Sequence, residues 1–230
     1  MKTKIALIGK GVNLSGWDQV LELLSGRGYS WKIISKKEEI DKSFDLGLLI
    51  GCYELIPEKI LNLPRCGTVL FHSSDLPKGR GWAPIYYTII NKDKFLVQTL
   101  LFASKKIDAG KIIAKAAARL EGNEIESEVR EIDDILTLRL IENTLDDLLR
   151  EKIFGVEQKE SEAIHYNKRS PEDSRIDPDQ SIYSLFDKMR ALPNEHPAFF
   201  KHRGRVYTLS LDVADRCNAD DVEIKIVKFY

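Results

Sequence analysis

Apolar residues from Lys4 to Gly9 form a short run closed by Gly9 and Gly11, after which Ser15 can cap a helix whose Trp17, Val20, Leu21 and Leu24 share one face. Gly26 and Gly28 stop that helix. Trp31 to Ser35 then reads as a second strand, and Leu46 to Gly51 as a third that is apolar at every position, as a strand covered on both faces is. Leu55 to Leu63 is a short helical piece, and Thr68 to His72 a fourth strand. Strands alternating with helical crossovers predict an α/β domain, a Rossmann-like, mainly parallel sheet with helices on both faces.

Beyond that unit, Pro84 to Asn91 reads as a helix opened by proline, Phe95 to Phe102 and Lys111 to Ala118 as two strands, and Ile132 to Leu148 as a long amphipathic helix. The polar segment Glu157 to Asp177 is the best boundary, which predicts a main domain over 1–156 and, over 157–230, a linker with a small C-terminal α+β annex. In the annex Asp177 caps a helix with Pro178 at its first position and an inward stripe of Ile182, Leu185, Phe186 and Met189. Val206 to Val213 and Val222 to Phe229 alternate as strands do, which suits a homodimer contact.

Composition narrows the classes. With 230 residues the chain can bury a full core unaided. Thirty-five basic against thirty-six acidic residues leave a net charge of −1, so no overall basic field favours nucleic acid as a partner. Lys201, His202, Arg203 and Arg205 form a local basic cluster that reads as a solvated loop before it reads as a phosphate site. No apolar run approaches the ~20 residues a membrane span needs. Cys52, Cys66 and Cys217 are odd in number and lack metal-ligand spacing, so no metal is expected and a reduced cytoplasm fits. Gly9, Gly11 and Gly16 miss the GxGxxG spacing of a dinucleotide loop, and neither a GxxxxGK[ST] loop nor a GxSxG elbow is present.

The stretch FHSSDLPKGRGWAPI, residues 71–85, is where chemistry concentrates. His72 ends a buried strand, and the crevice beyond the carboxyl ends of the strands is where open α/β sheets bind ligands. An imidazole there can accept and return a proton near neutrality, or it can be tied into the loop by hydrogen bonds.

Together with KKIDAGKII, this stretch resembles the formyltransferase family that uses 10-formyltetrahydrofolate, in which a histidine, an LP..RG..P loop and an Asp-x-Gly turn follow one another. Here the turn is Asp108, Ala109, Gly110, thirty-six residues after His72. HYNKRSPEDSRIDP and HPAFFKHRGRVYTL are similar to the tail of the sugar N-formyltransferase branch, and length and charge speak against tRNA. The resemblance implies formyl transfer to a nucleotide-linked amino sugar, a 4-amino-4,6-dideoxy sugar on UDP or dTDP first, with His72 as proton acceptor and Asp108 orienting it. A formyltransferase with methionyl-tRNA or a purine precursor as acceptor, or a lapsed folate- or nucleotide-binding protein, is the alternative.

The resemblance also assigns the rest of the site. The pterin slot falls on Cys52, Tyr53, Leu55 and Ile56, with Asp108 beside it. Ser73, Ser74, Lys78, Gly79, Arg80, Gly81 and Trp82 line the sugar-nucleotide side, Arg80 as a guanidinium fork for a diphosphate and Trp82 as an aromatic cover. Tyr166, Lys168 and Arg169 reach it from the polar connector, with an Arg169–Asp173 pair as the duller alternative. The family's asparagine two residues before the histidine is Leu70 here, which cannot donate, so Ser73, Ser74 or a backbone N–H of the 73–81 loop is expected at the oxyanion.

Overall fold

The computed structural model describes residues 2–9, 17–51, 55–214 and 222–230. Strands β1 (Lys4–Ile8), β2 (Ser30–Ile34), β3 (Leu46–Leu49), β4 (Thr68–His72), β6 (Phe95–Phe102), β7 (Ile112–Arg119) and β11 (Ile224–Lys228) form one seven-stranded sheet in the order β11-β7-β6-β4-β3-β1-β2. The pairings β1–β2, β1–β3 and β3–β4 are parallel, whereas β4–β6, β6–β7 and β7–β11 are antiparallel. Five strands therefore run one way and two, β6 and β11, the other.

The alternation of side chains explains how the sheet is covered. Ile5 and Leu7 of β1 face a large cluster built with Val20 and Leu24 of α1 (Trp17–Gly26), Ile85 and Ile89 of α3 (Pro84–Ile90) and the buried stripe of α4 (Glu126–Leu149). Ala6 and Ile8 face a smaller cluster with Ile40, Phe44, Ile56 and Leu61, the last on the short α2 (Glu58–Leu61). One face thus carries three helices and the other a thin cover. Leu46, Gly47, Leu48 and Leu49 of β3 are all buried, as their unbroken apolar run requires.

The tail departs from its sequence reading in three places. Ser181, not Asp177, caps α5 (Ile182–Arg190): its Oγ accepts the Ser184 N–H at 3.2 Å, while Asp177 accepts from Asp179 N in the preceding turn. Ile182, expected inside, is 68% exposed, because the later cap turns the stripe toward Leu185 and Met189. The strand expected over Val222 to Phe229 is not part of the annex; as β11 it pairs with β7 at the edge of the main sheet, where Ile224 and Ile226 pack on the large core. The annex proper is α5 with the hairpin β9 (Ala198–His202) and β10 (Arg205–Leu209), over Ile176, Leu185, Met189, Leu192 and Ala198. Arg203 and Gly204 have φ of +48° and +77°, the backbone of a two-residue hairpin turn, so the basic cluster sits at an exposed tip.

Two short strands escape periodicity. β5 (Lys78–Gly81) and β8 (Ile164–Tyr166) form a separate parallel pair that ties the connector to the loop after β4. Among the described residues, no helix is long and apolar enough to cross a membrane, and no three His, Cys, Asp or Glu side chains gather as metal ligands.

Candidate active site

His72 is the last residue of β4 and is 8% exposed. Its Nε2 lies 2.7 Å from the Gly79 carbonyl oxygen, and its Nδ1 lies 3.6 Å from Asp108 Oδ2. A carbonyl oxygen only accepts, so Nε2 carries a hydrogen, and Nδ1 is the nitrogen that faces the carboxylate. A proton arriving at Nδ1 therefore meets a counter-charge already in place. The ring is tied into the loop through one nitrogen, and the other faces the carboxylate.

Asp108 stands in the connection between β6 and β7 with φ at +50°, the left-handed region. Its Oδ2 accepts the Gly81 N–H at 2.9 Å, which aims the carboxylate at the loop carrying Gly79. Gly110 makes the turn feasible, since a Cβ there would lie 1.8 Å from the Phe102 carbonyl oxygen. The Asp-x-Gly spacing is thus a packing requirement of the β6–β7 connection, and Asp108 gains its orientation from it.

The loop after His72 is braced from several sides. Thr99 of β6 donates to the Ser74 carbonyl at 2.6 Å, and Lys115 of β7 donates to the Leu76 carbonyl at 2.6 Å. Tyr166 of β8 lies over Gly79, where a Cβ would come within 2.7 Å of its ring, and its carbonyl would be 2.7 Å from a Cβ on Gly81. These glycines, expected to line the sugar-nucleotide side, pack against the connector.

Arg80 requires the largest correction. It does not project toward a diphosphate: it is 2% exposed, its Nε and one terminal nitrogen donate to Gln158 Oε1 at 3.1 and 2.9 Å, and the other donates to Glu160 at 2.9 Å. Half-buried Gln158 and exposed Glu160 have consumed the fork. Trp82 is 42% exposed beside it, with the Lys168 ammonium 4.9 Å above its ring, and Lys78 is exposed. Tyr166 stacks on Tyr87 at 4.1 Å and its hydroxyl receives the Asn91 amide at 3.3 Å; burial pushes that phenol upward. Arg169 lies 4.0 Å over Tyr86 and donates to Ser174 Oγ at 2.9 Å, so its contacts hold the annex through these groups and not through the expected Asp173, which accepts from Ser170.

The expected pterin slot divides. Cys52 and Tyr53 lie outside the described residues, Leu55 is 69% exposed, and Ile56 is not an open wall but packs into the smaller core cluster. Leu70 packs against apolar residues of that cluster and against Leu76, Leu101 and Ile112. Ser73 is not free to replace the missing donor, because its hydroxyl donates to Asp133 Oδ2 at 2.8 Å. Ser74 Oγ is buried without a partner among the described residues.

Two groups of the site carry no motif. Gln158 lies in the connector, and its Nε2 donates to the carbonyls of Asp108 and Gly110, each at 2.8 Å. Asp133 lies on α4, and burial pushes its carboxyl from 3.8 to about 7, against the opposing hydrogen bond from Ser73. The signal for Asp133 was a carboxylate four residues after the buried Val129 and four before the buried Thr137, inside the apolar stripe of an otherwise amphipathic helix. Gln158 left no such trace.

Residues 35–132 match the model of the formyl transferase family. A methionyl-tRNA formyltransferase of Staphylococcus aureus (strain MW2) is 30% identical over 168 residues, 71% of this chain and 54% of that protein, so the chain spans about half the length of the curated relatives it matches. A sugar N-formyltransferase from Shewanella superposes with a TM-score of 0.74 at 17% identity over 94% of this chain and 99% of that one. A HypX from Aquifex aeolicus, solved in complex with tetrahydrofolic acid, superposes with a TM-score of 0.78 at 17% identity over 92% of this chain and 38% of that one. Those two likenesses establish the fold.

Proposed function

We propose that this chain is a cytoplasmic N-formyltransferase that moves a formyl group from 10-formyltetrahydrofolate to the amine of a nucleotide-linked amino sugar. The observation that carries this reading is the His72–Asp108 couple at 3.6 Å, at the carboxyl end of β4. The residues at the formyl end fit such a donor, because formyl transfer to an amine needs one proton acceptor and one charge beside it, and no metal. When bound, 10-formyltetrahydrofolate supplies a formyl group on a nitrogen that leaves as an amine. His72 Nδ1 takes the proton of the attacking amine and returns it to the leaving nitrogen, while Nε2–H stays on Gly79. Asp108 stands beside the imidazolium and stabilises it.

For the acceptor, support comes from Trp82 with Lys168 over its ring and from exposed Lys78 on the same loop, an aromatic face and two cations of the kind that meet a base and a diphosphate. The net charge of −1 argues in the same direction, since tRNA binding draws on a basic field. Methionyl-tRNA is the second reading, favoured by the 30% identity to the staphylococcal enzyme. Labelled 10-formyltetrahydrofolate offered with UDP- and dTDP-linked 4-amino and 3-amino sugars, and separately with methionyl-tRNA, decides between them. Label in a sugar amide is the expected result. Label in methionyl-tRNA alone refutes the sugar assignment, and folate binding without turnover on any acceptor refutes catalysis.

A further inference from the structure

Asp108 does not hold its own conformation. With φ at +50° it occupies a region that L-residues disfavour, and the turn it opens leaves the carbonyls of Asp108 and Gly110 facing the same side. Both are met by one side chain, Gln158, whose two amide hydrogens donate to them at 2.8 Å each. Its oxygen in turn accepts two N–H groups of Arg80, at 3.1 and 2.9 Å, so the side-chain amide uses its full donor capacity and both acceptor directions.

Arg80 lies between the two loop residues that touch the catalytic couple. Gly79 supplies the carbonyl on His72 Nε2, and Gly81 supplies the N–H on Asp108 Oδ2. Gln158 therefore joins the loop that orients His72 to the turn that carries Asp108. The segment bearing it is itself anchored, since Val156 and Ile112 exchange backbone hydrogen bonds at 2.9 and 2.8 Å where β7 begins.

We propose that Gln158, through Arg80, is a positioning residue that sets the His72–Asp108 separation, so that a residue beyond the catalytic segment completes the site. The inference rests on the formyl-transfer reading for its kinetic consequence and on the geometry alone for its structural one. Asparagine is one methylene short of both carbonyls. Glutamate keeps a partner for Arg80 but places an acceptor where two donors are needed, and methionine keeps the volume with neither.

The test compares wild type with Gln158→Glu and Gln158→Met, and with Lys159→Ala, an exposed change on the same segment whose ammonium pairs only with Glu162 among the described residues. Turnover is measured with 10-formyltetrahydrofolate and the amino-sugar panel, and the imidazole proton–carbon cross-peaks of His72 are recorded by NMR at one fixed pH. Both Gln158 variants are expected to lose about 10- to 100-fold in kcat, the size of a displacement of roughly 1 Å at a reacting group, with KM within about twofold. Their His72 cross-peaks move, and Lys159→Ala changes neither. Unmoved His72 cross-peaks in both Gln158 variants overturn the proposal, even if stability or activity falls, because the residue then only packs. A wild type inactive on every acceptor refutes the formyl-transfer reading instead, and the cross-peaks still decide whether Gln158 holds the couple. If Gln158→Met fails to fold, Gln158→Glu carries the same comparison.

Discussion

Replacing Asp133 by asparagine should change how stability depends on pH, and the structure sets the size of the effect. The Asp133 carboxyl of α4 is buried toward the loop after β4, with Oδ1 unpartnered among the described residues and Oδ2 accepting from Ser73 at 2.8 Å. Arg130 and Asp134 of its own helix, Ser73 of the catalytic loop and Gln98 of β6 are the polar and charged groups around it, and burial outweighs them to push the carboxyl from 3.8 to about 7. The folded protein then holds a proton that the unfolded chain releases near pH 4. Folding takes up that proton between about pH 4 and 7, so stability is greatest on the acid side, falls as pH rises through this interval, and levels off above about 7. Each pH unit within the interval is worth about 1.4 kcal/mol, so between pH 5 and pH 8 the wild type loses about 3 kcal/mol at this site. Asparagine keeps an acceptor for the Ser73 hydroxyl and cannot ionise. Urea unfolding of both proteins at pH 5, 6, 7 and 8 isolates the term, since the other titrating groups cancel in the difference. Asp133→Asn should gain on the wild type by about 3 kcal/mol from pH 5 to pH 8. A difference that stays constant within about 0.5 kcal/mol over that range refutes the account of a carboxyl kept protonated by burial.

His72→Asn and Asp108→Asn should each reduce turnover severely, and the double variant should cost far less than the product of the two, because the residues serve one proton transfer; multiplicative losses in steady-state kinetics contradict this. Leu70→Asn should not raise turnover by the ~10² that a missing oxyanion donor is worth, and should lower stability in a denaturant titration by about 1–3 kcal/mol, since the new amide enters an apolar neighbourhood. Arg80→Ala should lower the melting temperature, with a stability loss of about 2 kcal/mol or more from the partners it strands; a variant of unchanged stability whose only defect is a raised KM for the sugar nucleotide shows that Arg80 meets substrate after all.

Local signals in the chain determined most of the sheet and the His72–Asp108 pairing. The apolar run of β3 is buried throughout, β4 stands where the pattern placed it with Val69 buried and Leu70 and Phe71 half-buried, and the glycines and proline around His72 mark a loop at a strand end because few other residues can follow such a backbone. The couple was legible because the Asp-x-Gly turn is a local necessity: Gly110 cannot bear a side chain against the Phe102 carbonyl, and that spacing fixes where Asp108 stands.

What only the tertiary structure decided are the partners of polar side chains, since sequence shows that a residue can donate but not to what. Arg80 reads as a free guanidinium and is consumed by Gln158 and Glu160; Ser73 reads as an oxyanion donor and is consumed by Asp133; Gly79 and Gly81 read as lining the sugar-nucleotide side and pack against Tyr166. The same limit explains β11, whose alternation predicts a strand but not which sheet edge receives it, and Gln158, an ordinary polar residue until the chain brings it beneath Asp108. Long-range hydrogen bonding leaves no period in the sequence, and part of the site's geometry is set by contacts fifty or more residues apart, such as Gln158 on Asp108 and Ser73 on Asp133.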